Sequence, residues 1–226
     1  MIIITLREVS GVKRKVFVSI LCIVCFIVAA CSSTKKPAVV ADEFITAMKS
    51  QDFEKVKSLS AQGDVQDEVS DTIEDILSDT GADDSEDPST QLFMEKLFDF
   101  DYTIGEEKID GDNATVEVSF KTYDFYAMLG SYLEKAFSKV LELAFSGASE
   151  EEISGLGAQL LEEELGALTE KNREAAATLN LVKTDGEWKV TNMDENTEFL
   201  DGMFGGLFSI VNALDEMGDK LSGIGE

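Results

Sequence analysis

Histidine is absent from this 226-residue chain. That removes the commonest general base, the usual activator of a serine or cysteine nucleophile and the usual transition-metal ligand, so Ser-His-Asp and Cys-His sites are excluded. Cysteine is scarce and confined to one end: Cys22, Cys25 and Cys31 are the three in the chain. Everything after Cys31 therefore lacks a disulfide and must be stabilised by burying apolar surface. Cations are outnumbered, 19 Lys and Arg against 45 Asp and Glu, for a formal charge of −26. Such a surface repels phosphate backbones and anionic headgroups, which excludes nucleic acid as a partner and leaves electrostatic adhesion to a membrane without a basis. Long apolar runs are missing as well. A spanning helix needs about 20 apolar residues, whereas Val16 to Val28 supplies 13 and runs soon after into the polar Ser32-Ser33-Thr34-Lys35-Lys36.

What stands around that run is an export signal. Lys13-Arg14-Lys15 forms a charged n-region, although twelve residues precede it, which suggests a later start. Val16 to Val28 has the length of a signal-peptide core, and Ala29-Ala30 supplies small residues at the cut site. Val28-Ala29-Ala30-Cys31 resembles the lipobox of bacterial lipoproteins. The resemblance implies that residues 1–30 are removed and that Cys31 becomes a diacylated (palmitate-type) first residue, tethering the protein to the extracytoplasmic face of the bacterial cell membrane. Two acyl chains at roughly 0.8 kcal/mol per buried CH₂ suffice for stable attachment. The Cys22-x-x-Cys25 spacing leaves with the signal. Residues 1–30 hold four of the cations and one of the carboxylates, so the 196 residues from Cys31 carry 15 cations, 44 carboxylates and a charge near −29.

Residues 31–37 read as a tether and 38–226 as a single α+β domain. Val40, Phe44, Ala47 and Met48 recur at helical spacing, as do Phe53, Val56 and Leu59, and then Val65, Val69, Ile73, Ile76 and Leu77. Ala82 to Thr90 reads as an acidic surface loop. The period then changes to two: Phe98, Phe100, Tyr102 and Ile104 alternate with polar residues, and after Asp110-Gly111-Asp112-Asn113 so do Ala114, Val116, Val118 and Phe120, which predicts a hairpin. From about 124 to 173 the helical period returns in two runs broken at Gly147, a large helical insertion. A second hairpin is expected across Asp185-Gly186, joining Ala177, Leu179 and Leu181 to Trp188 and Val190. The last helix is expected over Thr197 to Leu221, with Gly202 and Gly206 spaced for close packing.

The order of these elements resembles a family of small bacterial lipoproteins of unknown function built on a nuclear-transport-factor-two-like (cystatin-like) cone. Its leading-helix pattern is matched by Phe44, Ala47, Asp52, Glu54, Val56 and Leu59, and its two strands by Asp112 to Val118 and Asp185 to Val190. The likeness covers roughly 38–124 and 175–195. It implies a curved antiparallel sheet of about four strands packed on helices, with 124–173 and the C-terminal helix as departures from the cone.

Chemistry is sparse. Carboxylate-only catalysis, as in cone-fold isomerases, would draw on Tyr102, Tyr123, Asp124 and Tyr126. Asp79, Asp83, Asp84, Glu86 and Asp87 in the acidic loop, and Asp99 and Asp101, supply oxygens for a hard cation but follow no calcium-loop template, since Ile104 stands where glycine is needed. Gly155-x-Gly157 lies within a helical pattern and follows no strand, so it does not cradle phosphate. Asn113-Ala114-Thr115 matches a glycosylation sequon that reads as a turn into a strand. No cofactor and no metal site is predicted. The expectation is a membrane-anchored, non-enzymatic binding or interaction module. Its concave-face residues Phe98, Phe100, Tyr102, Phe120 and Trp188 would meet an envelope protein or a small apolar ligand. The alternatives are a cone-fold enzyme working by carboxylate and tyrosine, and an acidic inhibitory or immunity-type lipoprotein that masks a basic partner.

Overall fold

A computed structural model describes residues 35–62, 65–80, 87–146, 150–210 and 213. Cys31, the export segment, residues 81–86 of the acidic loop and most of the chain after 210 lie outside the described residues. The folded unit begins at Lys35.

Helix α1 (Pro37–Lys49) starts on a proline, whose missing N–H costs nothing at a helix N-terminus. It buries Val40, Ala41, Phe44, Ile45, Ala47 and Met48 along one stripe. A left-handed turn at Gln51 (φ 56°) leads to α2 (Phe53–Leu59), where the Asp52 carboxylate accepts from the Lys55 N–H at 3.1 Å. Helix α3 (Val65–Thr80) buries Val69, Ile73, Ile76 and Leu77.

Helix α4 (Pro88–Phe98) corrects the expectation of a loop to Thr90 and a strand from Phe98. Its start has a local cause: Asp87 accepts from the backbone and hydroxyl of Ser89, at 2.7 and 2.5 Å, and Pro88 fits the first turn. Phe93 and Leu97, four residues apart, are buried on one face.

The sheet is four-stranded, antiparallel and curved, in the order β1 (Asp101–Asp110), β2 (Asn113–Thr122), β3 (Arg173–Thr184), β4 (Glu187–Val190). Tight turns at Gly111 (φ 62°) and at Asp185-Gly186 (φ 53° and 85°) join the two hairpins, left-handed positions that glycine and aspartate tolerate. A register shift between Ile104 and Glu107 bends β1. Gly105 is needed there because a Cβ would lie 3.0 Å from the Glu117 carbonyl oxygen. The shift sets Glu107 opposite Val116, where its carboxylate accepts from the Ala38 N–H of α1 at 3.1 Å.

Between the hairpins stand α5 (Phe125–Ser146) and α6 (Glu150–Ala167), packed on each other. After β4 a single 3-10 turn (Asp194–Asn196) leads into α7 (Thr197–Met203). The Gly-interrupted last helix expected from the sequence breaks at 204–206, where Gly205 (φ 64°) and Gly206 (φ 86°) reverse the chain before helix resumes at 207. At Gly202 α7 lies directly on the sheet: a Cβ there would make ordinary van der Waals contact, at 3.4–3.5 Å, with Ala177, Ala175 and Phe120.

Candidate functional site

The inward face of the sheet carries Ala114, Val116, Val118, Phe120, Leu179, Leu181 and Val190, all buried. Helices α1 and α7 lie against it. This corrects the expectation of an open aromatic concave face. Phe98 ends α4, packed edge-on against Phe204 at 5.6 Å, and Phe100 meets Phe120 at 6.0 Å and Phe204 at 6.5 Å. Phe120 in turn meets Phe199 at 5.2 Å. Phe98, Phe100, Phe120 and Trp188 are all buried, so the apolar surface a ligand would use is already satisfied by the protein's own helices. Trp188 closes one end of this core beneath the Lys183 ammonium, 5.6 Å from the ring. Tyr102 is half-buried at the edge. Its hydroxyl donates to Asp42 at 2.8 Å and lies 3.0 Å from the Thr46 hydroxyl, and burial, together with the Asp42 charge, raises its pKa.

The tyrosine and carboxylate candidates separate into two ion-pair groups. Lys171 donates to Asp99 at 2.7 Å and to Asp101 at 3.4 Å, and the Tyr123 hydroxyl donates to Asp99 at 3.4 Å. The Lys171 hydrogen bond holds the Asp99 carboxyl below its ordinary range against some desolvation. Desolvation pulls the Lys171 ammonium down, but the bond and charge of Asp99, helped by Asp101, outweigh it and raise its pKa. Tyr123 is pushed up by burial and by the Asp99 charge, while the Lys96 ammonium sits 4.7 Å over its ring. In the second group Asp124 caps α5 by accepting from the Ala127 N–H at 3.1 Å, and Arg173 bridges Asp124 and Asp201 at 3.4 and 3.9 Å. Each carboxylate is thus committed to a cation or a helix end, and Tyr126 stands in solvent. Among the described residues no group of three or more Asp, Glu or Cys is placed to hold a metal ion.

The surface that invites contact lies elsewhere. One face of α5 supplies Phe125, Met128, Leu129 and Tyr132 to the core. Further along the helix Leu133, Phe137, Leu141 and Phe145 continue the four-residue row of Leu129, and they are exposed together with Tyr126 and Val140. These residues recur at three- and four-residue spacing, so at 1.5 Å per residue they form a stripe about 28 Å long. An apolar helix stripe is normally buried. Here its later turns have no partner among the described residues. Lys135 reaches Glu163 of α6 at 3.0 Å and also pairs with Glu164, and Lys139 pairs with Glu142 at 3.1 Å, so the cations of α5 are held to one side. In the sequence Leu133, Phe137, Val140 and Leu141 belong to the first helical run after 124, whose apolar stripe is broad. That breadth is the signal of this surface, since a narrow stripe suffices for one neighbouring helix.

No family model matches the chain, and no curated protein matches it. Among solved structures it is similar to one described as a "putative lipoprotein" (ycdA) from Bacillus subtilis, at 22% identity and a TM-score of 0.41 over 65% of this chain. The chain spans about half (48%) of that protein's length. No described helix is long and apolar enough to cross a membrane.

Proposed function

We propose that this chain is a lipoprotein held by acyl chains on Cys31 to the extracytoplasmic face of the cell membrane, where its folded unit serves as a non-enzymatic interaction module for an envelope protein. The observation that carries the module is the exposed apolar face of α5. Leaving Phe137 and Phe145 in water is unfavourable at roughly 25 cal/mol per Å² of apolar surface, and a covering partner recovers that energy. The anchor rests on the lipobox-like Val28-Ala29-Ala30-Cys31.

Two measurements test the two halves. Membrane fractionation of the full chain and its Cys31→Ala variant should find the first with membranes and the second released. A photoreactive residue placed at position 137 should give a defined covalent adduct in intact cells, while one at exposed position 178, on the outer face of β3, should not. Equal fractionation defeats the anchor, and equal labelling at 137 and 178 defeats the module. A second reading is favoured by the charge of −26: an acidic surface that masks a basic partner. The two differ in salt response, since charge masking weakens steeply with ionic strength and apolar docking does not.

A further inference from the structure

We infer that the occupant of the α5 face is a second copy of this chain, docked about a two-fold axis with the two α5 helices antiparallel. The inference deepens the interaction-module reading and rests on it.

Area supports self-association. Phe145 is 89% exposed, Phe137 69%, Tyr126 48%, Leu141 43%, Val140 40% and Leu133 38%. At 150–250 Å² for each aromatic side chain and somewhat less for each aliphatic one, they leave on the order of 600 Å² in water. Two copies face to face would remove roughly 1,200 Å², which reaches the lower bound of stable, specific interfaces.

Charge narrows the partner further. The six residues of the stripe are uncharged; Glu134 is exposed beside them in a groove with Lys135, Lys139, Leu160 and Glu163, and the two lysines are engaged with Glu163, Glu164 and Glu142. The stripe itself therefore offers a basic or an acidic partner no charge to read. Its complement is another uncharged apolar face, and a two-fold axis supplies one by construction. Antiparallel pairing would set Phe137 of each copy near the middle of the seam and Phe145 against the Leu133 to Gly130 region of the other.

The start of α5 and the start of the folded unit lie at opposite ends of the sheet. The chain enters the unit at α1, whose first turn is tied to Glu107, while its last residue, Lys49, donates to the Phe100 carbonyl at the other end of β1. Helix α5 follows Thr122, beside that same far end, since Lys121 pairs with Asp101. It thus departs from the end of the sheet opposite the point where a tether would attach.

The test uses the full chain in intact membranes. Two versions with different affinity tags are co-produced, each with the photoreactive residue at 137. The expected product has twice the chain's mass and carries both tags. Adding Leu133→Asp and Phe145→Asp should reduce it at least tenfold while leaving the thermal unfolding midpoint unchanged, because both side chains are exposed. An adduct at 137 with a different protein overturns the second copy and leaves the interaction module standing. Labelling at 137 no stronger than at 178 overturns both. A double-tagged product that survives the two aspartates with an unchanged melt places the contact on some other surface and also overturns the inference.

Discussion

Phenylalanine has opposite fates in this molecule, and the difference sets what each substitution does. Phe100 contacts three other rings in a filled core, so Phe100→Ala leaves a cavity and should cost about 3–5 kcal/mol in chemical denaturation. Phe137 contacts water, so Phe137→Ala should shift stability by no more than about 0.5 kcal/mol while weakening whatever covers α5. A cost at 137 comparable to that at 100 would mean that α5 is packed from both sides. The ion pair between Lys171 and Asp99 has a defined pH window. Asp99 titrates below its ordinary 3.8, so its contribution is present above that value and disappears as pH falls through the folded-state pKa. Lys171 titrates above its ordinary 10.5, so its contribution is present below that value and disappears as pH rises through the folded-state pKa. Lys171→Met should return Asp99 toward 3.8 by NMR titration. Because the Asp99 side chain is nearly half exposed, the loss at neutral pH should stay under about 1 kcal/mol. An Asp99 pKa unmoved by the substitution would leave the Tyr123 hydrogen bond and the Lys49 charge as what lowers it.

At the scale of elements, two short backbone devices hold the helices to the sheet. Gly205 has φ 64°, and a Cβ there would stand 2.2 Å from the Tyr123 carbonyl oxygen, while its own carbonyl accepts from the Tyr126 N–H at 3.1 Å. Gly205→Ala must therefore displace either the chain reversal after α7 or the start of α5, and should cost more than about 2 kcal/mol with loss of protection at the Tyr126 amide. Glu107 acts at the other end of the sheet. Glu107→Ala removes the side-chain acceptor for α1's Ala38 N–H and should cost about 1 kcal/mol, whereas Glu107→Gln, which keeps an oxygen, should cost less. Hydrogen exchange of the first turn of α1 separates the two variants. The hairpins were legible from period two and from Gly111 and Asp185-Gly186, which force the turns locally. Helix α4 was not, since Phe98 closes a helix while Phe100 and Tyr102 continue the spacing, so a helix–strand junction mimics strand alternation. The aromatic set expected on an open concave face is buried except for Tyr102, which is half-buried. Periodicity reports that a face is buried but not by what, and α1 and α7, far from β1 in sequence, are what cover it.

The whole molecule carries a charge of −26, so any association between copies brings together two strongly negative bodies. Their mutual repulsion acts through solvent over about a Debye length, roughly 8–10 Å at physiological ionic strength, and weakens as salt shortens that length. The apolar stripe on α5 is insensitive to screening and is, if anything, strengthened by excluded salts. The two terms predict a definite sign: self-association of the full chain should tighten several-fold between about 50 and 500 mM NaCl, and more strongly in sulfate. Docking on a basic partner carries the opposite sign, because screening then removes the attraction that drives encounter. Measuring the double-tagged adduct across that salt series therefore separates two molecules that share one sequence charge. A dimer that weakens with salt would mean that opposite charges on the two copies, and not the α5 stripe, hold it together. A yield that rises with salt and collapses in the Leu133→Asp, Phe145→Asp variant would tie the association to the exposed apolar stripe of α5.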